Sequence, residues 1–170
     1  MRPACLLLIS FIFLAACGEE NIQVTGQRPS YISYNDLLIY EQLPPQPIVN
    51  AGKVLLYNNY LFLGEVNKGI HVIDVSDTLH PQKLSFLKIP GNKDLSAQNN
   101  RLYADNGPHL VILDFSNISQ ITLVNRQLQV FRPSEFYPQD YTGYFECADY
   151  EKGWVVSWES VKLDNPQCKK

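Results

Sequence analysis

Two stretches of this chain spell the same pattern about forty residues apart, and that repetition limits the fold more than any other feature. Gly69-Ile70-His71-Val72-Ile73-Asp74-Val75-Ser76-Asp77 aligns with His109-Leu110-Val111-Ile112-Leu113-Asp114-Phe115-Ser116-Asn117 at an offset of 40. Upstream, Asn58-Asn59-Tyr60-Leu61-Phe62 aligns with Asn99-Asn100-Arg101-Leu102-Tyr103 at an offset of 41. A period of about 40 residues holding four strand-like runs is the length of one β-propeller blade. The runs predict strands near 53–57, 60–64, 70–75 and 83–89, then near 94–98, 101–105, 109–115 and 121–131. Tyr144 to Tyr150 and Trp154 to Trp158, joined through Glu151-Lys152-Gly153, read as a further hairpin.

The spelling has a physical reason. Leu110-Val111-Ile112-Leu113 is apolar on both faces, as an inner strand sandwiched between neighbouring blades requires. Asp74 and Ser76, and again Asp114 and Ser116, then turn the chain, because their side chains bond backbone amides one or two residues on. The expected fold is all-β: propeller-like blades forming a partial propeller, about two and a half blades in residues 49–160. Ahead of them, residues 31–48 predict a short helix and a Pro-rich lead-in. Ser33 is the N-cap, Leu37, Leu38, Tyr40 and Glu41 continue one or two turns, and Pro44, Pro45 and Pro47 end them.

The N-terminus sets the address. Arg2, the apolar run Leu6 to Leu14 and the small residues Ala15-Ala16 before Cys17 have the order of a signal peptide, and the apolar run is too short to span a bilayer. Leu14-Ala15-Ala16-Cys17 resembles the bacterial lipobox, which implies cleavage after residue 16, acylation of Cys17 and attachment to a membrane through that lipid. An outer-membrane lipoprotein of the cell envelope is the expected localisation. Glu19 and Glu20 leave both the periplasmic and the surface-exposed face open. Residues 17–30 are polar and without periodicity, and read as a flexible tether; residues 161–170 read as a C-terminal tail.

With Cys5 in the signal and Cys17 acylated, Cys147 and Cys168 remain, either as a disulfide or as two free thiols. A net charge of −3 with no cluster of Lys and Arg argues against nucleic acid as a partner.

The repeat residues carry a resemblance. The units, with an aliphatic run followed by Asp, a hydrophobic residue, Ser and Asp or Asn, resemble LVIVD-repeat proteins, and more closely the lipoproteins of that family in Gram-negative bacteria. The shared stretches are Gly52 to Phe62, Lys68 to Asp74, Ile89 to Leu95 and Leu102 to Asp105, and the likeness covers roughly residues 30–160. It implies a propeller-like fold and transfers no catalytic residue. Family members usually have several more blades, so a chain this short leaves a blade face and backbone edges to be covered. Self-association, the segment from Ser30 to Pro47, a separate partner, or a two-sheet sandwich adequate alone would each answer that need.

Enzyme signatures are missing: the sequence has no Gly-x-Ser-x-Gly, phosphate-binding glycine loop, His-Glu-x-x-His or Cys-x-x-Cys. No catalytic residue, metal or cofactor is expected. The histidines occupy non-equivalent repeat positions, and a cryptic hydrolase would need His71 or His109 to face an acid in a cleft. Asp74 and Asp114 invite a calcium reading that turn capping equally explains. The aromatic-rich part from Phe131 through Phe136 to Trp158 offers a candidate binding surface, with Tyr137, Tyr141 and Tyr144 the residues suited to a glycan or peptide. The leading expectation is a lipid-anchored envelope protein with an interaction or assembly role; a glycan- or peptide-binding module is the alternative.

Overall fold

The computed structural model describes residues 21–131 and 137–170, so Cys17 and Phe136 lie outside the described residues. Thirteen strands are seen among them. In order, β1 (Gln23–Ile32) leads through one helical turn, α1 (Tyr34–Leu37), to β2 (Glu41–Leu43). The first repeat supplies β3 (Ala51–Tyr57), β4 (Tyr60–Glu65), β5 (Gly69–Asp74) and β6 (Gln82–Lys88). The second supplies β7 (Leu95–Gln98), β8 (Arg101–Asn106), β9 (His109–Asp114) and β10 (Thr122–Gln127). Then come β11 (Tyr144–Phe145), β12 (Trp154–Asp164) and β13 (Cys168–Lys169). They form three sheets, ordered β2-β6-β5-β4-β3, β10-β9-β8-β7 and β12-β1-β11-β13, and these do not close into a ring or barrel.

The first two sheets are the two repeats, called blade 1 and blade 2 below. The paired asparagines explain the tight β3–β4 and β7–β8 turns. Asn58 has φ 51° and Asn99 φ 52°, a left-handed conformation that Asn tolerates better than other side chains. Both blades also carry a bulge at the same repeat position, Leu84 in β6 and Val124 in β10, where the pairing with the neighbouring strand slips by one residue.

Opposite faces of the two repeats pack together. Blade 1 turns Phe62, Ile70 and Val72 to blade 2, which answers with Leu102, Val111 and Leu113, and all six are fully buried in one cluster. Phe115 closes the cluster, its ring 5.1 Å from Phe62 and 5.3 Å from Tyr57, both edge-on. Through the repeat offsets, Phe62, Ile70 and Val72 correspond to Tyr103, Leu110 and Ile112. Those three stand on the other side of blade 2, half-exposed. The same side of both blades, marked by Phe62 and by Tyr103, is called the front, and the other the back. Blade 1's front therefore rests on blade 2's back, the relation of successive propeller blades rather than of a two-fold sandwich.

Half-buried polar groups lock this contact. Gln42 on β2 donates to Ser85 Oγ at 3.1 Å and Ile118 O at 3.3 Å and accepts from the Ile121 N–H at 2.7 Å, so one side chain bridges both blades. Tyr40 donates to Ile121 O at 2.8 Å, and burial pushes its phenol pKa up to about 12. These bonds explain why the predicted helix stops at Leu37. Residues 40–43 are needed in extended form along β6, where Glu41, Gln42 and Leu43 pair with Lys88, Leu87 and Phe86. Between the blades, Asp105 Oδ1 accepts from Asn92 Nδ2 and from the amides of Lys93 and Asp94 at 2.7–2.9 Å. Gly69, at φ 152°, lies against the Leu87 carbonyl, leaving no space for a Cβ.

The third sheet departs most from expectation. Within residues 17–30, expected as a tether, residues 23–30 belong to β1, which pairs antiparallel with β12 from Gln23↔Asp164 to Ile32↔Trp154. The expected hairpin between 144–150 and 154–158 does not form. Only Tyr144 and Phe145 are strand, lying parallel to β1 at Gln27↔Phe145, while β12 runs on to Asp164. Residues 161–170 are likewise no loose tail, since β13 pairs with β11. Asn67 Nδ2 donates to Val156 O at 2.6 Å and fastens this sheet to blade 1. β10 ends at Gln127, short of the expected 131.

Cys147 and Cys168 form a disulfide, Cα to Cα 5.3 Å, beside the short β11–β13 pairing. Closing a 21-residue loop stabilises the fold by about 3 kcal/mol in the chain-entropy account. The double substitution Cys147→Ser/Cys168→Ser is expected to lose about that amount in a urea titration. Leu95 and Val54 test the packing of opposite faces, because they are equivalent in the repeat but only Leu95 is core. Leu95→Ala is expected to cost about 3 kcal/mol, and Val54→Ala less than about 0.5 kcal/mol, in the same titration.

Candidate interaction surface

The repeat turns are locally satisfied. Asp74 Oδ1 accepts from the Ser76 N–H and Asp114 Oδ1 from the Ser116 N–H, each at 2.8 Å. The amide and hydroxyl of those serines hold both carboxyls below the usual carboxylate range, with Arg101 adding to the effect at Asp114. Among the described residues no group of three or more His, Cys, Asp or Glu side chains gathers to hold a metal ion.

The histidines are kept apart. His80 Nδ1 lies 2.8 Å from Asp77 Oδ2 in an exposed turn. His109 Nδ1 accepts from the Gln129 N–H at 3.1 Å, and burial, with Arg126 nearby, pushes its pKa down. His71 is buried at the middle of β5, its Nε2 donating to Glu65 Oε2 at 3.1 Å. His71 does face an acid, but in packed interior rather than in a cleft.

Of the three candidate tyrosines, two converge on the C-terminal lysines. Lys170 Nζ lies 4.6 Å from the Tyr137 ring centre and Lys169 Nζ 5.0 Å from that of Tyr144. Tyr137, Gln139, Phe145 and both lysines line a shallow hollow of about 270 Å³. Tyr141 does not line it and lies against Gly143.

A second apolar surface is the back of blade 1. Val54 is 57% exposed and Leu56 64%, with Leu61 and Leu63 half-exposed beside them on β4. Their repeat equivalents Leu95, Ala97, Leu102 and Ala104 all lie in or against the interblade core. These positions on blade 1 are thus built like a packed face, and among the described residues no sheet packs on them.

Among the described residues the other half of that back is covered, and Glu65 holds the cover in place. Its carboxylate accepts from the Val49 N–H at 3.0 Å and the Asn50 N–H at 2.5 Å, pinning residues 46–50 as a strap over Phe86. Lys83 Nζ donates to Gln46 O at 3.2 Å at the strap's other end. Burial alone would raise the Glu65 pKa; the two amides and His71 outweigh it and hold the carboxylate below its ordinary value. Sequence reasoning missed Glu65 because its partners are backbone amides, which leave no mark in residue spelling. The proline-rich run 44–47 was the available signal that the chain here is extended.

Residues 50–85 and 92–128 each match the family model described as the LVIVD repeat. Residues 50–128 are an LVIVD-repeat region. The matched segments span β3 into β6 of blade 1 and β7 to β10 of blade 2, leaving β2 and the third sheet outside the LVIVD repeats. This repeat is a structural motif and brings no catalytic residue. Comparison of the chain with curated proteins and with solved structures finds no match.

Glu65→Gln keeps the side-chain shape but removes the charge that three donors address. Stability is expected to fall by about 2 kcal/mol at pH 7. Because the folded-state pKa is depressed, the wild-type advantage is complete above the ordinary value of 4.5 and vanishes as pH falls through the lower folded value. Urea titrations of both proteins at pH 7 and pH 3 are therefore expected to show a smaller gap at pH 3.

Proposed function

We propose that the protein is a lipid-anchored component of the cell envelope with a non-enzymatic interaction or assembly role, exercised through the open back of its first LVIVD blade. The observation that carries this reading is the exposure of Val54 and Leu56 at positions where the second repeat buries its side chains. A charged group is what natural edges and faces use to discourage association; here two aliphatic side chains stand in the open. LVIVD-repeat proteins are generally associated with the cell envelope, which agrees with the lipobox ending at Cys17. Five residues separate Cys17 from Gln23, where β1 begins. An acylated Cys17 would thus stand within about 20 Å of the third sheet. Confinement to a surface raises local concentration, so modest contacts suffice for association there.

Two measurements test the reading. Cys17→Ser is expected to move the protein from the membrane to the soluble fraction; retention in the membrane would sink the anchoring. A photoreactive side chain at position 54 is expected to form protein adducts in intact cells, while the same group at Leu79, a turn residue 84% exposed, is not. Equal yields at both positions would remove the interaction role.

A further inference from the structure

The two open faces of this molecule are the same two faces that meet inside it. On blade 2 the front carries Tyr103, Leu110 and Ile112, the counterparts of Phe62, Ile70 and Val72, which in blade 1 are fully buried against a back. The bulge residue repeats the contrast: Leu84 packs on the interblade core, and its counterpart Val124 is 54% exposed. On blade 1 the back carries Val54, Leu56, Leu61 and Leu63, whose counterparts are packed under a front. Among the described residues, one molecule therefore ends in a partly exposed front at one side and an exposed back at the other.

We infer that the partner of the open back of blade 1 is the front of blade 2 of a second copy of this chain, joined head to tail. This rests on the proposed interaction role and names its partner. The contact repeats between molecules the geometry that β4 and β5 make with β8 and β9 within one, so no new kind of complementarity is required. The strap 46–50 stays in place over Phe86, and the incoming copy uses the β3–β4 half. A contact between two different patches continues until a ring closes or a filament grows. Two copies supply four blades and three supply six, both within the range in which propellers close.

The test uses the full chain in mild detergent, extracted from membranes. A photoreactive side chain replacing Leu56 is expected to give an adduct of twice the chain mass, crosslinked within residues 101–127 of the other copy. Two variants separate the faces: Val54→Asp/Leu56→Asp spoils the back and Ile112→Asp/Val124→Asp spoils the front. Each variant, made in two differently tagged forms, is expected to co-purify with itself at least about tenfold less than wild type. Mixing the two variants is expected to restore co-purification, since one supplies the good front and the other the good back. Rescue also shows that both variants are folded, and the crosslink at position 56 decides the matter if either is not. A double-mass adduct linking position 56 to the back of the other copy would overturn the head-to-tail contact, as would self-association of the front variant. An adduct holding only a different protein would overturn self-association and leave the interaction role standing. No adduct at position 56 would end both.

Discussion

Everything in this molecule follows from the way its two repeats meet: the front of one sheet on the back of the next. Phe62, Ile70 and Val72 interlock with Leu102, Val111 and Leu113, and Phe115 turns back from the end of β9 to seal the seam. Packing of this handed kind cannot satisfy both partners at once. A sandwich of two like faces would bury its apolar side chains and stop; two repeats stacked in sequence always leave one face of each kind uncovered. The apolar character of those outer faces is inherited from the repeat rather than chosen for the ends, which explains aliphatic residues such as Val54 and Leu56 in the open.

The parts outside the repeats manage that incompleteness. β2 covers the outer edge of blade 1 along β6, and Gln42 reaches from it into both blades. The strap beneath it covers half of the blade 1 back, held by a carboxylate whose burial is tolerable only because two amides and an imidazole surround it. At the equivalent repeat position blade 2 places Asn106, whose side chain donates to Leu37 O and Pro90 O and so ties down α1 and the interblade linker. The same site in each repeat thus holds a buried polar group that fastens a piece of foreign chain. One is charged and one is neutral, according to whether amides or carbonyls must be met.

Strand positions within the repeats were readable from residue spelling because side-chain periodicity and Asn, Asp and Ser turns are themselves the forces that set them. β4, β5, β8 and β9 fall within a residue or two of the runs that predict them. The strand β1 was not readable. Its sequence holds Gly26, Arg28 and Pro29 among polar residues, and what fixes it is a ladder of backbone bonds to a strand some 130 residues away. The disulfide was one of two open choices until the pairing of Phe145 with Cys168 brought the cysteines together. Val54 and Leu56 read correctly as strand residues, but only the absent neighbour shows that they are surface.

Pairing β1 with β12 has a temporal meaning. Synthesis makes residues 23–32 early and residues 154–164 late, so the first strand has no partner until almost the whole chain is available. The two blades, built from hairpins of neighbouring strands, close short loops and can assemble meanwhile; the third sheet must wait for the longest loop in the molecule. During that interval β1 is an unpaired strand, and the interval ends only when Trp154 and the residues after it arrive.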